Sequence, residues 1–322
     1  MHGVSHCATL SIRPDRRGHR WRRERKEVRL KPAMDARSRF EEFDLHLSSG
    51  RVHGARCGGD GPLVVCLPGL SGNLRSFDFI GGVLAEVGFP VVMVDPRGRG
   101  RSESTPPGSY GWPAHAADAA EVADRLGADS FHLVGWSMGA YVAMQLASMK
   151  PHLLDRVVLI DGCGAPGESA NALIRTVIER LGVTYPSFHQ YLQLIKQMGT
   201  IVPWDSLWER YFAYELESVE GGVRARTNRR AVTEDFEYGT SHDQRRLWPA
   251  LSMPVLLVRA AHPLVPGGPF IVREDDRDAF AQSLPEAKVV EVDANHYGVI
   301  THPRTAEAIQ VFLESELPGG DL

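Results

Sequence analysis

The stretch Gly135-Trp136-Ser137-Met138-Gly139 places one serine between two glycines. It follows the apolar run FHLVG (131–135) and precedes MGAYVAMQLASMK (138–150), which is typical of a helix. This context predicts a sharp strand-to-helix turn that exposes the Ser137 hydroxyl. The glycines remove side chains that would collide with neighbouring backbone, and the helix N-terminus offers positive charge to a developing oxyanion. Ser137 is therefore the candidate nucleophile.

An attacking serine of this kind also needs backbone N–H groups that bind the oxyanion. The first predicted donor is the amide of Met138, directly after Ser137. The second is the amide of Leu70 in PGLSGN (68–73), a loop that follows the apolar run LVVCL (63–67). Gly69 and Gly72 allow tight backbone turns there. The sequence thus predicts an oxyanion hole formed by Leu70 and Met138.

Short apolar strands that alternate with helices must position these residues. The apolar runs are LVVCL (63–67), VVMV (91–94), FHLVG (131–135), VVLID (157–161), VLLV (255–258) and VVEV (289–292). Such runs are typical of strands buried on both faces of a parallel sheet. Two alternating segments, FEEFDLHL (40–47) and RVHGARC (51–57), predict an antiparallel hairpin in front. The pattern predicts an α/β fold with a mostly parallel sheet.

The interval between Asp161 and Val255 contains no predicted strand. Its amphipathic segments are ANALIRTVIERLG (170–182), SFHQYLQLIKQMG (187–199) and DSLWERYFAYELESV (205–219). Compact domains rarely contain structureless loops of this length, so we expect a helical insert over residues 165–250. Residues 36–164 and 251–322 then form the core, and residues 1–35 form a basic tail.

Four motifs in this order give the chain a resemblance to the α/β-hydrolase superfamily, from about residue 40 to 316. They are LPGLSGN (67–73), DPRGRGRS (95–102), GWSMG (135–139) and DANHYG (293–298). The resemblance implies an α/β-hydrolase fold whose insert is a cap, or lid, over the site. Pro68-Gly69 stands where the family usually has His-Gly. DPRGRGRS is expected to shape a neighbouring loop and is assigned no chemistry.

The resemblance also implies the general base, because the family orders its residues Ser, acid, His. His296 follows a predicted strand and loop and precedes the last helix. The usual acid position, after VLLV, is occupied by His262, and a neutral imidazole cannot replace a carboxylate electrostatically.

Three explanations of the missing acid stay open. The favoured one is Asp161, which ends VVLID 24 residues after Ser137. In this the chain resembles a subgroup of haloalkane dehalogenases and a mycotoxin lactone hydrolase, which place their acid at the end of the same strand. The second is a carboxylate of VREDDRD (272–278), namely Glu274, Asp275 or Asp276. In the third, the triad is degraded and the chain is a weak enzyme or a binding protein.

Composition limits the classes of protein. Apolar residues make up 43% of the chain, yet no run of about 18 apolar residues predicts a transmembrane helix. The net charge is −4, although residues 1–33 carry ten Lys/Arg against three Asp/Glu. We interpret this head as a disordered tail or as sequence upstream of a start at Met34, and expect no nucleic-acid or membrane partner. Four cysteines without CxxC spacing indicate a reduced, cytoplasmic setting.

These observations predict a serine hydrolase that cleaves an ester or lactone of a small, largely apolar substrate through an acyl-enzyme. No cofactor or metal is expected, since no Cys/His cluster has zinc spacing. The alternatives are a non-catalytic ligand-binding member of the fold, or a C–C bond hydrolase or acyltransferase that uses the same site.

Overall fold

The structure, a computed structural model, describes residues 40–315. The predicted basic tail (1–35) and the alternative start at Met34 lie outside the described residues. The strands are β1 (Glu41–Leu47), β2 (Gly50–Cys57), β3 (Val64–Leu67), β4 (Val91–Val94), β5 (Phe131–Trp136), β6 (Leu154–Ile160), β7 (Thr184–Tyr185), β8 (Leu216–Val219), β9 (Gly222–Ala225), β10 (Val255–Ala260) and β11 (Lys288–Val292).

Eight of these strands form one sheet in the order β1-β2-β4-β3-β5-β6-β10-β11. The pairs β1/β2 and β2/β4 are antiparallel, and the other five pairs are parallel. This topology confirms the predicted α/β fold, including the antiparallel hairpin in front. It also places the ends of β5, β6 and β10 side by side, where such sheets build their sites.

Helices cover both faces of this sheet. The helices packed on the sheet are α1 (Asp78–Glu86), α2 (Trp112–Arg125), α3 (Met138–Met149), α8 (Glu274–Ser283) and α9 (Pro303–Glu314). The segment between β6 and β10 contains α4 (Glu168–Glu179), α5 (Phe188–Gln197), α6 (Ser206–Glu215) and α7 (Arg229–Ser241).

Alternate strand residues pack into two apolar clusters. In β3, Val64 and Cys66 join the cluster that includes α1 and α9, whereas Val65 and Leu67 join the cluster that includes α2 and α3. This two-sided burial explains why the strands are continuous apolar runs. Within residues 40–315, no helix is long and apolar enough to cross a membrane.

The insert (residues 165–250) contains α4, α5, α6 and α7 and also a second sheet of order β7-β9-β8. The expected helical insert thus also contains a small sheet that was not predicted, and the helix predicted over 205–219 ends at Glu215. Leu216–Val219 instead pairs with Gly222–Ala225 as an antiparallel hairpin. Gly221 and Gly222 have φ of 84° and 144°, a turn conformation that opposes helix continuation.

Candidate active site

Ser137 occupies the turn between β5 and α3, as predicted. Its backbone has φ 54° and ψ −116°, which is a strained conformation for a residue with a side chain. The Ser137 amide donates to the carbonyl of Ile160 at the end of β6 (2.9 Å), and its own carbonyl accepts from Ala140 (3.0 Å). The neighbouring strand and the first turn of α3 thus hold the serine in place.

The two flanking glycines are required by close backbone approaches. A Cβ at Gly135 would lie 2.1 Å from the carbonyl oxygen of Gly139. A Cβ at Gly139 would lie 2.0 Å from the carbonyl oxygen of Leu67 in β3. Both separations are far below contact distance, so any larger residue would force strand β5, helix α3 and strand β3 apart. The predicted steric role of the two glycines matches this geometry.

His296 and Asp161 contact each other, and His296 lines the same cavity as Ser137. The Nδ1 atom of His296 lies 2.7 Å from Oδ2 of Asp161, and both side chains are buried. The other carboxylate oxygen of Asp161, Oδ1, accepts from the backbone amide of Ala260 in β10 (3.1 Å). An ionised carboxylate only accepts, so the neutral imidazole tautomer that fits this contact has its proton on Nδ1 and its lone pair on Nε2.

Neighbouring residues fix the His296 imidazole and its loop. The ring of Trp136 packs on the imidazole with centroids 5.1 Å apart, and its Nε1 donates to the His296 carbonyl (3.1 Å). The Asn295 amide donates to the carbonyl of Thr200 in the insert (2.8 Å), while its Oδ1 accepts from the amide of Gly298 (2.9 Å). Sequence reasoning assigned no role to Trp136 or Asn295, although both lie inside the quoted motifs.

The alternative acids have other partners. Asp276 is buried in α8 but accepts from Nε of Arg273 (3.0 Å). Glu274 and Asp275 are exposed at the start of the same helix. His262, at the family's usual acid position, is exposed and its Nε2 lies 2.6 Å from Oδ1 of Asp293. Of the candidate acids, the structure brings Asp161 to the His296 imidazole.

The 68–73 loop lies against Ser137. A Cβ at Gly69 would be 3.2 Å from Cβ of Ser137, and the Gly72 amide donates to the Gly69 carbonyl (2.9 Å) to close a tight turn. In the part of the chain that the structure describes, neither the Leu70 amide nor the Met138 amide donates a hydrogen bond to a backbone carbonyl. This geometry is compatible with the predicted oxyanion hole, whose assignment to Leu70 and Met138 stays a prediction.

A cavity of about 470 Å³ opens above Ser137 and His296, between them and the insert. Its wall is mostly apolar and includes Ile174, Val177, Ile195, Tyr211, Phe212 and Phe236. Burial raises the pKa of Tyr211 well above its ordinary value, so its hydroxyl stays neutral. Of the other insert aromatics, Tyr191 and Trp208 are buried in the core packing and Phe188 is exposed.

Charged residues of the cavity wall are paired with one another or with neighbours. Arg180 forms an ion pair with buried Glu215 (2.8 Å) and also contacts the Tyr191 hydroxyl. At the rim, Arg245 donates to Asp243 from Nε (2.9 Å) and Nη2 (3.0 Å). The charges of these wall residues are therefore paired within the protein.

A buried histidine–carboxylate pair and a strained serine, at the carboxyl ends of a parallel sheet, form the arrangement expected of an α/β-hydrolase site. The chain belongs to the α/β-hydrolase family, because the family model described as alpha/beta hydrolase fold matches residues 62–303. This membership confirms the resemblance that the four motifs carry.

Individual proteins that resemble this chain in sequence or in structure are also hydrolases. The N-formylmaleamate deformylase of Pseudomonas putida (strain KT2440) is 30% identical over 249 residues, which span 76% of this chain and 84% of that protein. The solved E-2-(acetamidomethylene)succinate hydrolase superposes with a TM-score of 0.75 at 21% identity, over 86% of this chain and 100% of its own. The enol-lactonase from Burkholderia xenovorans LB400 gives 0.61 at 21%, over 84% and 100%. At this identity the two structures show the fold alone.

Proposed function

We propose that this α/β hydrolase cleaves an ester or lactone of a small, largely apolar substrate through an acyl-enzyme on Ser137. The observation that carries the proposal is the buried contact between His296 Nδ1 and Asp161 Oδ2, 2.7 Å apart, beside a serine at φ 54°. A free serine hydroxyl is a weak nucleophile and needs such an oriented base.

The reaction then takes two steps. Ser137 Oγ attacks the substrate carbonyl while His296 Nε2 accepts the hydroxyl proton, and the oxyanion binds the amides of Leu70 and Met138. His296 returns the proton to the leaving alkoxide, which gives the acyl-enzyme. Water, deprotonated by His296, attacks the ester carbonyl of the acyl-enzyme. His296 then gives this proton to Ser137 Oγ as the acid is released. Asp161 orients His296 and stabilises its protonated form throughout.

The size and the paired charges of the cavity support a small, uncharged reacting region in the substrate. The insert supplies much of the cavity wall, and we propose that it acts as a cap that selects the substrate. Cys57, Cys66 and Cys163 are unpaired, which supports a reduced, cytoplasmic setting. We expect neither a nucleic acid nor a membrane as a partner of this protein.

A second candidate reaction is hydrolysis of an N-formyl amide. Its support is the name of the 30% identical relative, a deformylase that spans most of this chain. The same nucleophile, base and oxyanion donors serve an amide, provided that His296 protonates the leaving nitrogen. This candidate differs from the first in the leaving group, which departs through nitrogen, and in the acyl group, which is formyl and leaves as formate.

The test is a turnover panel of p-nitrophenyl acetate, butyrate and octanoate, a small lactone and an N-formyl amide, each with wild type and Ser137→Ala. We expect turnover of short esters or the lactone that Ser137→Ala abolishes. Turnover confined to the N-formyl amide would favour the second candidate. Turnover that survives in Ser137→Ala would refute an acyl-enzyme on Ser137.

A further inference from the structure

The buried Arg99 of the DPRGRGRS motif contacts both residues assigned to the oxyanion hole. Its guanidinium donates to the Leu70 carbonyl from Nε (3.0 Å) and Nη2 (2.9 Å). Nη2 also lies 3.9 Å from the sulfur of Met138, and Nη1 donates to the Arg97 carbonyl (3.0 Å). The Arg99 side chain is fully buried, so its contacts are within the protein.

Hydrogen bonds hold both peptide planes that flank Leu70, one through the Gly69 carbonyl and one through the Leu70 carbonyl. The Gly69 carbonyl accepts from Gly72, and in a trans peptide the Leu70 amide must then point the opposite way. Arg99 holds the next plane through the Leu70 carbonyl. With both planes held, the direction of the Leu70 N–H beside Ser137 is set before any substrate binds, which is what an oxyanion donor requires.

Arg99 is itself held by a carboxylate from the insert. Asp235 of α7 is fully buried, and its Oδ2 lies 2.6 Å from Arg99 Nη2 and 2.8 Å from Nε2 of His115 in α2. Its Oδ1 accepts from the amide of Gly111 (2.6 Å). Burial alone would raise the pKa of Asp235, but His115, Arg99 and the Gly111 amide together lower it well below its ordinary value.

We propose that Arg99 and Asp235 are positioning residues that hold the 68–73 loop in its oxyanion-binding conformation, so that helix α7 of the insert helps to build the catalytic centre. This inference rests on the proposed function for its kinetic consequence. Neither residue touches the reacting atoms, and both act through the Leu70 peptide.

The neighbouring ion pair of the same motif offers a matched control. Arg97 donates to Asp118 from Nε (2.7 Å) and Nη2 (2.6 Å), and both residues are buried. The other side-chain contacts of Arg97 are to the carbonyls of Ser109 and Ala114, at the start of α2. The Arg97 pair therefore resembles the Arg99 pair in charge and burial but does not contact the 68–73 loop.

The experiment compares the charge-neutral double variants Arg99→Met/Asp235→Asn and Arg97→Met/Asp118→Asn. The rate of phosphonylation by a fluorophosphonate is measured as kinact and KI at a temperature where both variants are folded. We expect the Arg99 pair variant to lose roughly 10- to 100-fold in kinact with KI little changed, since a misplaced donor is lost from the transition state. The Arg97 pair variant should keep the wild-type kinact.

Arg99→Lys is the second variant, for the case that the double variant does not fold. It keeps a positive charge for Asp235 but cannot place two N–H groups on the Leu70 carbonyl. We expect a folded protein with a reduced kinact. A wild-type kinact in Arg99→Lys, or an equal loss in the Arg97 pair variant, would overturn the proposal.

Hydrogen exchange of the 68–73 amides separates this inference from the proposed function, because it does not need a reactive Ser137. We expect faster exchange at Gly72 in the Arg99 pair variant alone. If wild type is not phosphonylated but exchange at Gly72 is faster in the Arg99 pair variant alone, the proposed serine hydrolase activity is refuted and the positioning role is kept. Unchanged exchange at Gly72 would refute the positioning role.

Discussion

Asp161→Asn should inactivate the enzyme by forcing the wrong tautomer on His296. In the structure Oδ1 of Asp161 accepts from the Ala260 amide, while Oδ2 faces Nδ1 of His296. An asparagine must keep its oxygen toward the Ala260 N–H, so its NH2 group faces Nδ1. The imidazole then accepts at Nδ1 and carries its proton on Nε2, where it can no longer take the proton of Ser137.

The expected loss in kcat is about 10⁴-fold, the effect of this substitution in another serine hydrolase triad. It corresponds to about 5 kcal/mol of transition-state stabilisation. Stopped-flow or initial-rate measurement with p-nitrophenyl acetate reads this loss, and circular dichroism verifies the fold. Asp276→Asn is the matched control, because Asp276 is equally buried but pairs with Arg273. Wild-type rates in Asp161→Asn together with a large loss in Asp276→Asn would refute the assignment of the acid.

Four further substitutions test packing, burial and a hydrogen bond of the fold, each by urea unfolding. Gly139→Ala places a Cβ 2.0 Å from a backbone oxygen and should destabilise the fold severely. Gly82→Ala in α1 is the control: its Cβ meets nothing within 4 Å, so it should stabilise the fold by about 0.5–1 kcal/mol. Burial lowers the pKa of His132 from 6.5 to about 4, so the unfolded chain binds more protons between those pH values. Stability should therefore fall by about 3 kcal/mol as the pH drops from 6.5 to 4, and His132→Leu should remove most of this dependence. Tyr214→Phe removes a donor 2.6 Å from buried Asp95 and should cost about 1.5–3 kcal/mol; an unchanged unfolding free energy would show that this contact between insert and core is unimportant.

Much of the fold was predictable because its signals are local. The parallel strands read as short apolar runs, which is typical of strands buried on both faces of a sheet. The serine turn was also predictable from adjacent residues, because Gly135 and Gly139 flank Ser137 in the sequence. A Cβ at either glycine would collide with a backbone carbonyl. The hairpin Leu216–Ala225 was missed because its first half continues the amphipathic pattern of α6.

The rest of the site depends on residues far apart in the chain. Asp161 and His296 are 135 residues apart, and only the topology of the sheet brings them together, so spacing left three explanations for the acid open. The contact of Arg99 with Asp235 joins a core loop to the insert, and no sequence period marks it. The motif DPRGRGRS was visible, but its partner in α7 was not.

The most direct test of the central claim is intact-mass analysis of the protein after treatment with a fluorophosphonate, followed by peptide mapping. The proposed triad predicts one phosphonyl adduct per chain, located on Ser137, absent after heat denaturation and absent in Ser137→Ala. Ser187→Ala, a helix cap of α5 that does not line the cavity, should label like wild type. An unlabelled wild type, or an adduct on another residue, would contradict a reactive Ser137 and favour a ligand-binding role for the cavity.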